Sequence, residues 1–304
     1  MLHNNQTSDG RLPTNWKRVR LVTARPDFAG SKNSMSEIIE LLSISFKKLG
    51  CNVDVKDNEF ILDGINILFF SFFITDINAI PHNTIIFNSE QINDINTYNL
   101  SNMYDQLNKF VFWDYSNRNI DQLIAINNKS NIQYLQIGYA EELFRIEKKE
   151  IQDIDILFYG AINDRRLKIL NSLLSLNLNV HVTQNCYGGE RDNLISRSKI
   201  VLNIHYYPSK IFELVRVSYL LNNKICIVSE CDEHTEIHEN IKNTLVTASY
   251  DQIVDTCVKY LSSEELRENT SIIGFNGFKK LDQVIILKKL INDYELLNAR
   301  TSHS

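Results

Sequence analysis

The chain has 304 residues, 43% hydrophobic and 23% charged, a globular balance with length for two domains of ordinary size. A formal net charge of −5 leaves no basic footprint for nucleic acid, and five cysteines without paired spacing fit reduced thiols rather than a disulfide framework. The longest apolar run, residues 65–74, falls well short of the ~20 residues of a bilayer span, and the polar first residues lack the apolar core of a secretory signal, so a cytoplasmic protein is expected.

Residues 1–17 are expected to form a loose tail. The hydrophobic pattern then predicts strands over 18–26, 52–57, 65–72, 83–90, 109–115 and 132–139, with an amphipathic helix over 34–49 ending at Gly50 and another over 117–127. After the charged segment 141–153 the pattern restarts. Strands are predicted over 154–161, 179–184, 199–206, 224–229 and 243–248, helices over 164–176, 190–198, 209–222 and 250–261, and a helical stretch over 264–300. Near-continuous apolar strands alternating with helices imply parallel sheets covered on both faces. The expected fold is therefore α/β, with two Rossmann-like doubly wound lobes over residues 18–150 and 151–280 and a helical segment over 281–304.

Two such lobes leave a cleft at the carboxyl ends of their strands, where open α/β sheets bind ligands. Neither lobe has a G-x-G-x-x-G or P-loop after its first strand, so no motif supports a dinucleotide dehydrogenase or an ATPase. The densest chemistry lies in LNIHYYPSKIFELVRVSYLLNNKICIVSE, residues 202–230. A helix capped by Ser209 would present free N–H groups near Lys210 and Ile211, a setting for a diphosphate to which Lys210 adds charge. Glu213, one turn in, is placed to accept hydrogen bonds from ribose hydroxyls, and Arg216 to orient it or reach a phosphate. The same spacing also fits an ordinary surface ion pair worth ~0.2–0.5 kcal/mol.

The segments FYGAINDRRLKIL (158–170), YGGERDNLISRSKIVLNIHYY (187–207) and IFELVRVSYLLNNKICIVSE (211–230) together resemble the C-terminal lobe of GT-B glycosyltransferases in the broad glycosyl transferases group 1 superfamily. IIFNSEQI (85–92) and VFWDYSNRNIDQL (111–123) resemble the N-terminal lobe of its bacterial members. The resemblance implies transfer of a sugar from a nucleotide-sugar donor, without a metal or other cofactor, to a glycan, lipid-linked or protein acceptor. It also implies that the second lobe holds the donor and that the terminal helix packs on the first lobe. Many retaining members carry E-x7-E; Glu213 matches its second position, while the first falls on His205, a departure that leaves His205 to bond the sugar or a phosphate. Tyr206 and Tyr207 are expected to line the donor site. Arg165 or Arg166 stands where the family places a basic phosphate contact, next to Gly160, which allows close backbone approach.

Acceptor activation has several candidates. Asp27, in the loop ARPDFAGSKNS after the first strand, is the catalytic candidate of that lobe, with Ser31 through Ser34 of the same loop as acceptor or phosphate contacts and His82, Glu90 and Asp114 near other strand ends, although turn and cap chemistry accounts for such residues too. Glu230 either faces the cleft or is exposed. Cys231, His234 and His238 have a zinc-like C-x2-H-x3-H spacing without a fourth ligand, so no metal site is expected. Residues 279–291 carry lysines around an apolar core, which fits peripheral membrane contact less well than helix packing. A nucleotide-sugar-binding subunit without transfer activity is the alternative reading.

Overall fold

The computed structural model describes residues 12–24, 33–88, 90–92, 100–127 and 131–301. In the first lobe the apolar runs form parallel strands β1 (Arg18–Thr23), β2 (Asn52–Asp57), β3 (Ile65–Phe69), β4 (Thr84–Phe87), β5 (Val111–Asp114) and β6 (Ile132–Tyr134), ordered β2-β1-β3-β4-β5-β6. Every residue of β3 and β4 is buried, as strands covered on both faces require, whereas the edge strand β2 is polar and partly exposed. Helices α1 (Ser36–Lys48), α2 (Leu100–Lys109) and α3 (Asn117–Asn127) accompany this sheet. Helix α2 is additional to the expected elements, although Leu100, Met103, Tyr104 and Leu107 carry the helical spacing.

The second lobe repeats the plan with β7 (Ile154–Tyr159), β8 (Val180–Thr183), β9 (Ser198–Asn203), β10 (Ile227–Glu230) and β11 (Val246–Ala248), ordered β11-β10-β9-β7-β8. Its helices are α4 (Asp164–Leu174), α5 (Gly188–Ser196), α6 (Leu214–Asn222), α7 (Glu239–Lys242) and α8 (Ile253–Leu261). The final helical stretch divides into α9 (Glu264–Phe278) and α10 (Gln283–Thr301). The break is where the chain returns to the first lobe beside the outgoing connection. There Tyr139 N donates to Leu281 O at 2.7 Å and Gln283 N to Tyr139 O at 3.0 Å. Gly138 permits this crossing, because a Cβ would collide with the Leu281 carbonyl.

Helix α10 packs on the first lobe, with Leu287, Leu290 and Ile291 buried. Trp16 corrects the expectation of a loose tail for the end of that segment, residues 12–17, while residues 1–11 lie outside the described residues. Within the short 3-10 turn Thr14–Lys17, its ring is fully buried, stacks on Phe46 at 5.8 Å and on Trp113 at 6.3 Å, and meets the edge of Tyr294 of α10 at 5.4 Å. Its indole N–H donates to Glu295 Oε1 at 2.7 Å, so the large apolar ring is buried with its polar atom satisfied. No helix among the described residues is long and apolar enough to cross a membrane.

Candidate functional site

A cavity of about 470 Å³ opens between the lobes at the carboxyl ends of their strands. The first lobe contributes Asn33, Ser34, Met35 and Glu37 around the start of α1, with Glu90, Gln91 and Tyr115. The second contributes Tyr159 and Gly160 at the end of β7, Arg166 of α4, Arg191 of α5, Tyr206 and Tyr207 after β9, and Glu213, Val215, Arg216 and Tyr219 of α6 and its approach. Of the residues singled out in the sequence, the cavity thus gathers Gly160, Arg166, Tyr206, Tyr207, Glu213 and Arg216 from the donor side, and Ser34 and Glu90 from the acceptor side.

Glu213 is a hub. Its Oε2 lies 3.0 Å from His205 Nδ1 and accepts from Asn203 Nδ2 at 3.0 Å; its Oε1 accepts from Tyr206 N at 3.3 Å and lies 3.5 Å from Arg166 Nη2. Burial pushes this carboxyl up, but the His205 hydrogen bond and the charges of His205, Arg216 and Arg166 outweigh it and bring the pKa down to about 2. Both oxygens are engaged by protein groups, so Glu213 shapes the cavity wall by holding its neighbours.

Arg166 is likewise internal. Its Nε donates to Ile204 O at 2.9 Å and its Nη1 to Ala161 O at 2.7 Å, beneath the ring of Tyr206, and burial lowers its pKa to about 10. Arg216 differs. It donates to Asn203 Oδ1 at 3.1 Å and lies over the Tyr159 ring at 5.2 Å, but makes no ion pair among the described residues. Gly160 makes room for it: its φ is +138°, and a Cβ would strike the Arg216 guanidinium. The first turn of α6, with Val215 on the cavity wall, adds the positive end of a helix.

Four expected site residues are not brought to the cavity. Ser209 does not cap a helix, because Lys210 takes a left-handed φ of +51°, Ile211 pairs with Glu236 as an isolated β-bridge, and the helix begins at Leu214. Ser209 Oγ instead donates to Gln91 Oε1 at 3.3 Å, across the lobes. Lys210 forms an ion pair with Asp232, whose carboxyl is lowered to about 2 by that hydrogen bond. Arg165 turns away to the fully buried Glu230, donating to its Oε2 at 2.6 Å, and stacks on Tyr250 at 4.1 Å. Glu230 therefore neither faces the cleft nor is exposed. His205 is buried with both ring nitrogens occupied, Nδ1 by Glu213 and Nε2 by Thr235 Oγ1 at 3.2 Å, which corrects its assignment to the sugar or phosphate.

Asp27 and Ser31 lie outside the described residues. His82 is exposed ahead of β4, at the wrong end of the sheet for the cleft. Asp114 is fully buried beneath the interface, accepting from Asn88 Nδ2 at 2.6 Å and Ser116 N at 2.8 Å; burial pushes its pKa up to about 7. Cys231, His234 and His238 do not converge, since no group of three metal-ligating side chains occurs among the described residues, and His238 caps α7 by accepting from Asn240 N.

A polar ring across the lobes escaped the sequence reading. Arg191 Nη2 donates to Glu37 Oε1 and to Asp192 Oδ1, both at 2.8 Å; Tyr219 OH donates to Asp192 Oδ2 at 2.9 Å; Arg145 Nε donates to Tyr219 OH at 3.0 Å and its Nη1 to Glu40 Oε1 at 2.8 Å. Glu37 and Glu40 share a face of α1, three residues apart, which closes the ring. That i, i+3 pair of carboxylates was the available signal.

No protein-family model matches the chain. It is 31% identical over 277 residues to "Uncharacterized protein R358" of Acanthamoeba polyphaga mimivirus, the match covering 87% of this chain and 94% of that protein. Among solved structures it is similar to sucrose-phosphate synthase from Thermosynechococcus elongatus, with a TM-score of 0.59 at 9% identity over 93% of this chain and 100% of that one. It is also similar to Anabaena HepE in complex with UDP and glucose, with a TM-score of 0.58 at 8% identity over 92% of this chain and 99% of that one. It spans about half, 55%, of TarM, with a TM-score of 0.53 at 12% identity over 76% of this chain. With the two facing parallel sheets, these likenesses show the GT-B fold.

Proposed function

We propose that this chain, which belongs to one family with the mimivirus protein R358, is a glycosyltransferase that carries a sugar from a nucleotide-sugar donor to a hydroxyl of a glycan, lipid-linked or protein acceptor. The observation that carries this reading is Arg216: a guanidinium on the cavity wall, at the first turn of a helix, without an ion-pair partner among the described residues. A diphosphate supplies the charge that this arrangement lacks, since a helix N-terminus and a guanidinium both favour an anion. HepE, of similar fold, is seen with UDP and glucose, which makes uridine diphosphate the first nucleotide to try.

In the transfer, the bond from the sugar's anomeric carbon to the diphosphate breaks and a bond to the acceptor oxygen forms, while the acceptor's proton passes to a base or to the departing phosphate. Arg216 and α6 stabilise the charge that grows on the leaving diphosphate, a task that needs no divalent cation in this reading. Glu213, held by His205 and Asn203, fixes the wall from which Arg216 projects. A cytoplasmic setting fits the five unpaired cysteines.

Thermal unfolding with uridine, guanosine and adenosine diphosphates, with and without divalent metal, tests the donor site. One nucleotide at ~100 times its Kd is expected to add about 2.7 kcal/mol to the wild type, a shift of a few degrees, and to leave Arg216→Ala unshifted. Equal shifts in the two proteins would remove Arg216 from the site.

A further inference from the structure

The two walls of the cavity differ in charge. The second lobe presents Arg166, Arg191 and Arg216, whereas the described residues of the first lobe present no cation. Glu37 stands out there. Only 7% of its surface is exposed, and its Oε1 is held by Arg191 Nη2 at 2.8 Å. Arg191 is itself fixed by Asp192 Oδ1 at 2.8 Å and by the Tyr219 ring at 4.4 Å, so the carboxylate has one orientation imposed from behind. Its second oxygen, Oε2, accepts no hydrogen bond among the described residues, although the side chain lines the cavity.

A carboxylate oxygen that opens onto the cavity is purely an acceptor, so a ligand group that meets it there must donate a hydrogen. A ligand hydroxyl does so. A phosphate or carboxylate at that point would instead meet like charge. The cavity therefore suits a ligand pair of mixed character, with its anionic part on the second lobe and its hydroxylic part on the first.

Resting on the transferase reading above, we propose that Glu37 is an acceptor-binding residue whose Oε2 accepts a hydrogen bond from a hydroxyl of an uncharged sugar acceptor. Its ion pair with Arg191 holds it in place, so its part is recognition and positioning of the nucleophilic sugar.

Saturation-transfer NMR on the full chain with UDP present, using a set of neutral methyl glycosides and the matching sugar phosphates, tests this. At least one neutral glycoside is expected to bind the wild type, none of the sugar phosphates better than it. Glu37→Gln is expected to weaken that glycoside about tenfold or more while leaving the UDP-induced thermal shift unchanged. Glu40→Gln removes the charge from the other contact of α1 with the ring, its ion pair with Arg145, outside the cavity, and is expected to leave glycoside binding as in the wild type. The inference is overturned if no neutral glycoside binds, if a sugar phosphate binds better, if Glu37→Gln binds like the wild type or loses UDP as well, or if Glu40→Gln loses the glycoside to the same extent. A wild type that binds no nucleotide sinks the transferase reading itself, and this inference with it.

Discussion

Glu213 shows how a residue can be legible in the sequence while its role is not. Its position after a strand and beside an arginine marked it for the cleft, where it lies. Its partners, His205 and Asn203 from the end of β9 and Arg166 from α4, come from two other places in the chain, and only their meeting reveals how its oxygens are held. The same limit explains Lys210 and Arg165, basic residues claimed by Asp232 and Glu230. The Glu213 network has a pH signature. Because its folded pKa of about 2 lies below the ~4.3 of an unfolded glutamate, its contribution is complete above that unfolded value and is lost as the pH falls through ~4 towards 2. Two units correspond to roughly 3 kcal/mol, and Glu213→Gln is expected to remove that share of the acid-induced loss of stability. Urea unfolding at a series of acidic pH values measures it; parallel curves for wild type and variant would rule the network out as the source.

At the scale of elements, strands read reliably because burial on both faces leaves continuous apolar runs, as in β3 and β4. Helix starts read less well. The pattern predicts α6 from Ser209, but the left-handed Lys210 and the bridge of Ile211 to Glu236 delay it to Leu214, a tertiary choice with no local sequence mark. That delay carries the helix N-terminus to the cavity beside Arg216. The turn after β7 must match it, so Gly160→Ala is expected to destabilise the fold by about 1–3 kcal/mol through its positive φ and to displace the Arg216 guanidinium, with loss of the nucleotide shift. A variant with full stability and full shift would show that the close approach is unnecessary. The turn before β1 reads as tail in the sequence, because one buried tryptophan in a polar stretch gives no periodicity. Trp16→Ala is expected to cost about 3–5 kcal/mol in chemical denaturation, and a loss under 1 kcal/mol would mean that the ring is dispensable.

For the whole molecule, the two-lobe plan was readable because alternating strands and helices restart after residue 153, whereas the joining of the lobes was not. Hydrogen bonds make that joint: the Glu37–Arg191–Asp192–Tyr219–Arg145–Glu40 ring, and Glu236 of the second lobe accepting from Asn117 N at 2.5 Å and from Ser116 Oγ at the start of α3. Asp114 sits under this second contact. Its folded pKa of about 7 lies above the ~3.9 of an unfolded aspartate, so its effect is most favourable below ~4, and stability falls as the pH rises from there through 7. Asp114→Asn is expected to flatten the thermal stability profile over that range, and an unchanged slope would contradict it.

The measurement to make is release of nucleoside diphosphate from a panel of nucleotide sugars, by wild type and Arg216→Ala, with and without added glycosides and divalent metal. The wild type is expected to release the diphosphate from one donor class, faster with an acceptor and without need of metal, and Arg216→Ala to be slower by about a hundredfold. No release from any donor, or equal rates in the two proteins, would contradict a transferase built around Arg216 and leave the GT-B fold serving another end.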